Sequence, residues 1–226
     1  MRRFLWRRSR RKEITLDPKI TDRYVGVYKL DSYMLITTTR EDDKFYAQLT
    51  GQPKCQRFPE SEKQFFLKVV DAQLSFDVAA GDGGAVTQAV LHQNGQNSPA
   101  RRLNAEEAKA AQEGIKTHDV EVAQRFKEQK QSPGTEAALR RTILELQSGK
   151  PKYELMTSQF AELTRKQLPQ LKAMLTKLGE MKSLTFKGVG QGGMDICETK
   201  FESGGLEFRI VLDADGKTAA VGLRPI

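Results

Sequence analysis

Short runs rich in β-branched and aromatic residues recur through residues 13–103, and they constrain the fold more than any other feature. The runs return at intervals of roughly 8–12 residues. Turn residues such as Asp42-Asp43 and Asn94-Gly95 separate them, with no helical period between. The eight runs are residues 13–16, 24–28, 33–39, 45–49, 54–58, 65–70, 72–78 and 86–92. This pattern predicts an antiparallel meander that closes into an eight-stranded barrel, since closure removes exposed strand edges.

Residues 104–130 are rich in Ala, Glu, Gln and Lys, and they predict a helix with few large apolar residues. Asn104 is expected to cap this helix, and Glu107 at the third helical position is expected to return the hydrogen bond. Gly114 is the weakest position in the helix. Because so little of the helix is apolar, we interpret it as a solvated connector between two domains.

Residues 134–226 predict a second domain in which two helices precede four strands. The first helix is expected to begin with Thr135 as N-cap and to end at Gly149. The second is expected to kink or break at Pro169 and to end at Gly179. Apolar residues of the two helices are Leu139, Ile143, Leu144, Leu146, Phe160, Leu163, Leu171, Met174, Leu175 and Leu178. The four strands are expected at residues 183–189, 194–201, 206–213 and 218–224.

The predicted fold class is therefore α+β and β-rich. It comprises an antiparallel eight-stranded barrel, a connecting helix, and then two helices that cover a four-stranded antiparallel meander. The predicted domains are a disordered basic arm (residues 1–12), the barrel (13–103), a helical linker (104–133) and the α+β domain (134–226).

The net charge of +8 belongs almost entirely to the first twelve residues, which hold seven basic side chains and no acidic one. From Glu13 onward the chain carries 30 basic and 29 acidic side chains, so neither domain is expected to bind phosphates. A like-charged block with only three apolar residues, Phe4, Leu5 and Trp6, is expected to be disordered. The alternative is an arm that binds nucleic acid or an anionic lipid surface.

Residues 13–19 are polar where a signal peptide needs an apolar stretch. The chain as written is therefore expected to be cytoplasmic, and exported or periplasmic if it is a fragment of a longer precursor. No apolar stretch approaches the roughly 20 residues that span a bilayer.

Two motifs that suggest ligand sites occur in the predicted sheet. Residues 188–193 read GVGQGG and satisfy GxGxxG, but a strand rather than a helix is predicted to follow, so we interpret them as a hairpin loop. Asp213-Ala214-Asp215-Gly216 lacks the remaining calcium-loop ligands and is interpreted as a turn.

Cys55 and Cys197 are far apart in sequence and are expected to be separate thiols. No metal site or cofactor is expected.

No catalytic residue can be assigned from sequence motifs. Ser9 and Lys12 are the only Ser-x-x-Lys pair, and the arm offers no helix to align them. Lys217-Thr218-Ala219 nearly matches a Lys-Thr-Gly strand, but its companion motifs are missing. The two histidines, His92 and His118, are interpreted as structural or surface residues, and ligand-binding residues stay unassigned.

Several motifs together carry a resemblance to a known family. They are YVGVY (24–28), LTGQP (49–53), FPES (58–61), FF (65–66), DAQLSF (71–76) and LHQNG (91–95). With them, residues 13–103 resemble a domain of unknown function, the lipocalin-like domain commonly attached C-terminally to β-lactamase-related serine hydrolases and peptidases. Residues 134–226, with GKPKY (149–153) and FKGVG (186–190), resemble the companion region seen after such domains. Its topology is similar to cystatin-like or NTF2-like folds.

The resemblance implies an accessory role rather than catalysis, because the domain that carries the family's Ser-x-x-Lys nucleophile is absent from this sequence. The expected function is a non-catalytic binding protein for a small apolar ligand or a partner segment, held in a barrel mouth or against the concave sheet. The barrel could equally be filled by its own side chains. The alternative is a separated accessory region of a serine hydrolase, with that hydrolase domain as partner.

Overall fold

The computed structural model describes residues 11–79 and 84–226, which form two compact units that divide after Ile115. Most of the predicted basic arm, residues 1–10, lies outside the described residues. Arg11 is described, and its guanidinium contacts the carboxylates of Glu60 and Asp71, each at 3.2 Å. No helix in the described ranges is long and apolar enough to cross a membrane.

The first unit is a closed antiparallel barrel of eight strands, preceded by the short helix α1 (Pro18–Asp22). The strands are β1 (Gly26–Lys29), β2 (Leu35–Glu41), β3 (Lys44–Leu49), β4 (Cys55–Pro59), β5 (Gln64–Phe66), β6 (Ala72–Val78), β7 (Val86–Gln93) and β8 (Gln96–Leu103). Each strand pairs with the next, and β8 returns to β1 with Tyr28 opposite Arg102. The predicted meander and its closure are confirmed.

Two assignments within the barrel were wrong. Residues 13–16 are not a strand, because Asp17 caps α1 immediately afterwards and a single bond, from the Ile14 N–H to the Pro59 carbonyl, ties the segment to β4. The run at 65–70 is shorter than predicted, since β5 ends at Phe66. The eighth strand is instead β8, which was not predicted because its residues are mostly polar and include Pro99. Pro99 precedes the three residues that pair with β1, so its missing N–H removes nothing from the closing ladder.

The interior of the barrel is filled by its own side chains. Tyr24 stacks on Phe76 with ring centroids 4.4 Å apart, and Phe45 lies 4.8 Å from Phe65. The buried cluster also contains Tyr28, Ile36, Ala47, Leu74, Val86, Ala89, Leu91 and Ala100. Aromatic pairs at these distances stabilise a core beyond the area they bury. The barrel is therefore a packed core.

The connecting helix α2 (Ala105–Glu128) begins as the sequence predicts. The Glu107 N–H donates to the Asn104 side-chain oxygen at 2.8 Å, and the Asn104 N–H donates to the Glu107 carboxylate at 3.0 Å. This reciprocal capping box satisfies two N–H groups that the first turn leaves without partners. Within the first unit, α2 contributes Ile115 to a small cluster with Leu35 and Leu103.

The second unit contains two helices and an antiparallel sheet in the order β12-β11-β10-β9. Its elements are α3 (Thr135–Ser148), α4 (Ser158–Leu178), β9 (Met181–Val189), β10 (Asp195–Phe201), β11 (Gly204–Leu212) and β12 (Thr218–Pro225). Gly149 and Gly179 end the helices with positive φ angles, as predicted.

Three details of α3 and α4 differ from expectation. The N-cap of α3 is Gly134 rather than Thr135, which is buried as the first helical residue. Leu144 is 49% exposed, because it points away from the face that Leu139, Ile143 and Leu146 share. Pro169 does not break α4, which continues from Ser158 to Leu178.

Candidate ligand-binding site

One face of α3 and one face of α4 supply most of a cavity in the second unit. Leu139, Thr142, Ile143 and Leu146 stand at positions i, i+3, i+4 and i+7 of α3, so they share a single stripe. A corresponding stripe on α4 contains Phe160, Leu163, Thr164, Gln167 and Leu171. The helical period of the sequence therefore directs both sets of side chains to the same space.

The sheet completes this cavity, which we call the α3–α4 cavity. Phe208 on β11 pairs with Leu223 on β12, and Val221 lies two residues earlier on the same sheet face. The α3–α4 cavity has a volume of about 250 Å³. Leu139, Ile143 and Phe208 are fully buried in the core cluster behind it, so this part of the wall is well packed.

The rim of the α3–α4 cavity reaches solvent on the α4 side. Leu163 is 38% exposed although it lines the cavity, and Gln167, one turn further along, is exposed as well. Leu163 therefore offers apolar surface at the open side of the α3–α4 cavity.

The polar chemistry of the α3–α4 cavity is sparse and uncharged. All twelve lining residues are apolar, hydroxyl or amide residues. Thr164 is only 2% exposed, and its Oγ1 has no hydrogen-bond partner among the described residues. The same lack of a partner holds for the hydroxyls of Thr39, Thr199 and Thr218, so it does not distinguish this wall.

The glycine-rich motif of residues 188–193 lies where the sequence predicted. It forms the turn between β9 and β10, and Asp195 opens the next strand directly after it. Residues 213–216 likewise form the turn between β11 and β12, where the Lys217 and Asp215 N–H groups donate to the Asp213 carboxylate at 2.8 and 3.0 Å. Both loops are held by internal bonds, and neither joins the α3–α4 cavity.

The two cysteines are separate free thiols, as expected. Cys55 is half-buried on β4, whereas Cys197 is fully buried on β10. Burial raises the pKa of the Cys197 thiol to about 11, and Asp195 adds to the shift. Among the residues that the structure describes, no group of three His, Cys, Asp or Glu side chains could hold a metal ion.

Strand pairing brings His92 between two polar side chains on the outer face of the barrel. Its Nε2 lies 2.7 Å from the Ser75 hydroxyl, and its Nδ1 lies 2.7 Å from the Asn97 side-chain oxygen. Because an amide oxygen only accepts, Nδ1 donates to Asn97, and in the neutral ring Nε2 accepts from the Ser75 hydroxyl. The order hydroxyl, imidazole and orienting group is that of a catalytic triad, and the sequence did not reveal it.

The backbone of β6 on either side of Ser75 is engaged in strand pairing. Acyl transfer also needs N–H donors aimed at a developing oxyanion. Ser75 lies in the middle of β6, between β5 and β7, where ladder pairing uses the backbone N–H groups. The Ser75 side chain points outward, on the convex side of the closed barrel, since its neighbours Leu74 and Phe76 point inward. The cluster links β6, β7 and β8 through side-chain hydrogen bonds.

The other residues singled out by sequence are not among those that line the α3–α4 cavity. His118 is on α2 with its Nδ1 3.9 Å from the Asp119 carboxylate. Glu41 pairs with Lys54 beside the turn that contains Asp42 and Asp43. Ser9 lies outside the described residues, so the Ser9–Lys12 pair has no geometry to report.

Arg57 is a second feature that sequence reasoning missed. It lies on β4 opposite Phe45, so its side chain faces the barrel interior, and it is only 3% exposed. Its Nε and Nη1 have no hydrogen-bond partner in the described ranges. Burial lowers the pKa of this guanidinium to about 10, because a charge is poorly solvated there. In the sequence, Arg57 opens the stretch RFPE (57–60), and this context gave no indication that its side chain faces the barrel interior.

A family model matches the barrel and the start of α2. Residues 10–107 match the family model described as "Domain of unknown function (DUF3471)". The barrel segment is similar to that family. "Penicillin-binding protein 4*" of Bacillus subtilis (strain 168) is 29% identical over 92 residues, which cover 41% of this chain and 20% of that protein. The chain thus spans about one fifth of this relative's length. No solved structure matches the chain.

These findings fit the expectation of a domain of unknown function linked to β-lactamase-related proteins. The lipocalin-like resemblance, which rests on the motifs of residues 13–103, and the cystatin-like or NTF2-like one, which rests on topology alone, stay predictions. The family model ends at residue 107, so it does not reach the α3–α4 cavity.

Proposed function

We propose that the chain is a non-catalytic binding protein whose second unit holds a small apolar molecule in the α3–α4 cavity. The observation that carries this proposal is an apolar cavity with a half-exposed leucine at its rim. Its occupant covers apolar surface of Leu163, Leu171 and Leu223, and removal of such surface from water favours binding.

The volume sets the size of the ligand. A dry apolar cavity of about 150 Å³ holds benzene. The α3–α4 cavity, at about 250 Å³, has room for a ring with a short chain. The filled interior of the barrel argues against a site of this kind among Tyr24, Phe45 and Phe76.

The test is a titration of the full chain, labelled with ¹³C at Leu, Ile and Val methyl groups, with n-propylbenzene. We expect saturable shifts at Leu139, Ile143 and Leu146, with a Kd of about 1 mM or tighter. The methyl groups of Ile36 and Leu74 inside the barrel should stay unchanged.

A matched pair of variants locates the site. Leu163→Trp narrows the rim and should weaken binding at least tenfold, while Leu144→Trp places the same ring on the outward face of α3 and should leave binding unchanged. If wild type shows no saturable shift, or Leu163→Trp binds as wild type does, the proposal is wrong.

A second candidate function is that of an accessory region acting beside a serine hydrolase domain. The match to one fifth of Penicillin-binding protein 4* favours it. The test is the intact mass of the native protein together with its stable partners. A longer chain, or a stable complex with a protein that carries Ser-x-x-Lys on a helix, supports this role. A 25.4 kDa species without such a partner contradicts it.

A further inference from the structure

Strand β4 places a half-buried thiol and a buried cation in succession on the inner face of the barrel. Cys55 pairs with Ala47 and Arg57 pairs with Phe45, and both partners belong to the buried core of the barrel. Residues two apart on a strand point to the same face, about 7 Å from one another. Because Cys55 is the first residue of β4, its thiol lies at one end of the barrel, and Arg57 follows one step further in.

Arg57 has no anion to balance its charge. It is only 3% exposed and forms no ion pair with a carboxylate of residues 11–79 or 84–226. Its Nε and Nη1 are enclosed without a hydrogen-bond partner, whereas Nη2 is not enclosed in this way. The Nε atoms of Arg11 and Arg141 are enclosed as well, but those guanidiniums lie 3.2 and 3.9 Å from a carboxylate oxygen. Arg57 is therefore a buried cation that still calls for a counter-ion.

Cys55 can supply this counter-ion. Burial lowers the pKa of the Arg57 guanidinium to about 10, and the negative charge of an ionised Cys55 opposes that shift. The thiol is bonded only weakly, because its S–H donates to the Pro53 carbonyl across 3.5 Å. It is half-buried, so a small oxidant can reach the sulfur.

Oxidation by a hydroperoxide turns this thiol into a permanent anion. The thiolate attacks one peroxide oxygen, the O–O bond breaks, and the leaving alkoxide or hydroxide takes a proton from water, which leaves a sulfenic acid on the sulfur. A second hydroperoxide converts the sulfenic acid to a sulfinic acid, which gives its proton to water at neutral pH. Each step oxidises the sulfur by two electrons and reduces one hydroperoxide to an alcohol or water.

The usual diversion of a sulfenic acid into a disulfide is not open within the chain. The sequence contains one other cysteine, Cys197, which is fully buried on β10. Burial raises the pKa of its thiol to about 11, so the thiolate that would attack the sulfenic acid is scarce as well as inaccessible. The sulfenic acid on Cys55 is therefore free to react with the second hydroperoxide.

We propose that Cys55 is an oxidation site whose sulfinate forms the ion pair that Arg57 lacks in the reduced protein. The two oxygens of a sulfinate resemble those of a carboxylate, which a guanidinium binds through two N–H groups. The same cation stabilises the negative charge that passes from sulfur to the leaving oxygen during the reaction. This inference concerns the barrel and does not depend on the α3–α4 cavity.

The first test measures the rate at which hydrogen peroxide oxidises Cys55 in the folded full chain. Peptide mass spectrometry detects the gain of two oxygen atoms at this residue. Arg57→Met should slow the gain by about threefold or more, because the buried positive charge is lost, and Arg57→Lys should lie between the two. Lys54→Met is the matched control: it removes the neighbouring exposed cation, which pairs with Glu41, and should leave the rate within about twofold of wild type.

The second test compares the stability of reduced and oxidised protein by urea unfolding. The methyl signals of Ile36 and Leu74 report on the barrel, since both lie in its core. Oxidation should raise the urea midpoint of wild type by about 0.5–1 M, the shift that one charge-assisted hydrogen bond gives. In Arg57→Met the midpoint should not rise, because the new anion meets no cation. The wild-type comparison needs no substitution, so it holds even if a variant fails to fold.

Four results would overturn the inference. Cys55 may not stay unmodified by peroxide in folded wild type, and it may not end in a disulfide between two chains. Oxidation of Arg57→Met at the wild-type rate would show that the guanidinium does not act on the sulfur. A midpoint of oxidised wild type that is unchanged or lower would show that the sulfinate does not pair with Arg57.

Discussion

The guanidinium of Arg125 on α2 pairs with the carboxylate of Asp195, which is 1% exposed at the start of β10. The other oxygen of this carboxylate accepts from the Ser132 N–H at 2.9 Å, and Arg125 also donates to the Gly193 carbonyl at 3.3 Å. Within the second unit, this cluster joins the last turns of α2 to the sheet beside the β9–β10 turn.

Removal of one partner from this pair should strongly destabilise the second unit. Asp195→Ala leaves a partly buried guanidinium without its anion, and we expect the free energy of unfolding to fall by about 3 kcal/mol. Urea unfolding followed by circular dichroism measures the change. The control is Glu136→Ala, which removes an exposed i,i+4 partner of Arg140 and should cost less than about 0.5 kcal/mol. Equal effects from the two substitutions would contradict the assigned role.

Arg57 should destabilise the barrel at neutral pH. Its buried guanidinium lacks partners at Nε and Nη1, and an apolar side chain of similar length avoids that cost. We expect Arg57→Met to raise the free energy of unfolding by about 1–3 kcal/mol in urea titrations. Arg40→Met, at a half-exposed arginine paired with Asp22, is the control and should not stabilise.

The effect of Arg57→Met should depend on pH with a defined sign. The pKa of Arg57 is lowered by burial to about 10, so the unfolded chain binds this proton more tightly than the folded one. Below pH 10 the folded protein bears the full free-energy cost of the buried Arg57 charge. This cost disappears as the pH rises toward the ordinary pKa of the guanidinium. The stability difference between Arg57→Met and wild type should therefore narrow above pH 10, and a constant difference would argue against a buried charge.

The capping box of α2 gives a separate prediction. Asn104→Ala should lower the free energy of unfolding by about 1 kcal/mol, because the Glu107 N–H loses its acceptor. Asn104→Ser keeps an acceptor and should retain most of the stability. Thermal unfolding of the three proteins measures the effect, and an Ala variant as stable as the Ser variant would show that the cap contributes nothing.

The capping box of α2 should contribute less to stability in acid. Hydrogen bonds from Arg101 and from the Asn104 backbone lower the pKa of the Glu107 carboxyl. A lowered carboxyl pKa contributes stability at neutral pH, and that contribution is lost as the pH falls through the lowered pKa. Glu107→Gln should therefore be less stable than wild type at pH 7, and the two should converge below that pKa.

The two thiols should differ sharply in reactivity. Cys197 is fully buried, and burial raises its thiol pKa to about 11, so thiolate is scarce and inaccessible in the folded protein. Cys55 is half-buried and reachable. Iodoacetamide at pH 8 should label one cysteine in the native protein, identified as Cys55 by peptide mass, and both in urea. Native labelling of a Cys55→Ser variant would contradict this burial.

Ser75 should not behave as an activated nucleophile. Its hydroxyl bonds His92, but strand pairing on both sides of β6 engages the backbone N–H groups that could otherwise stabilise an oxyanion. A fluorophosphonate probe should leave Ser75 unlabelled under conditions that fully label trypsin. Labelling of Ser75 that disappears in His92→Ala would establish catalysis and refute the non-catalytic proposal.

Local patterns in the sequence were sufficient to identify most elements. The β-type runs gave seven of the eight barrel strands, because alternation and turn residues are local properties. Asn104, Gly149 and Gly179 marked helix ends through the chemistry of their own backbone and side chains. The strand β8 was not predicted, because its residues are mostly polar and include Pro99. Its pairing with β1 is what identifies it in the structure.

The sequence by itself determined the fold class and most of the elements in their order, since these follow from short-range periodicity and turn chemistry. Only the tertiary structure decided which distant residues meet. Strand register brought His92 to Ser75 and turned Arg57 inward, and helix packing gathered Leu139, Thr164 and Phe208 around one cavity. Such contacts depend on the relative placement of whole elements, and no local pattern encodes that placement.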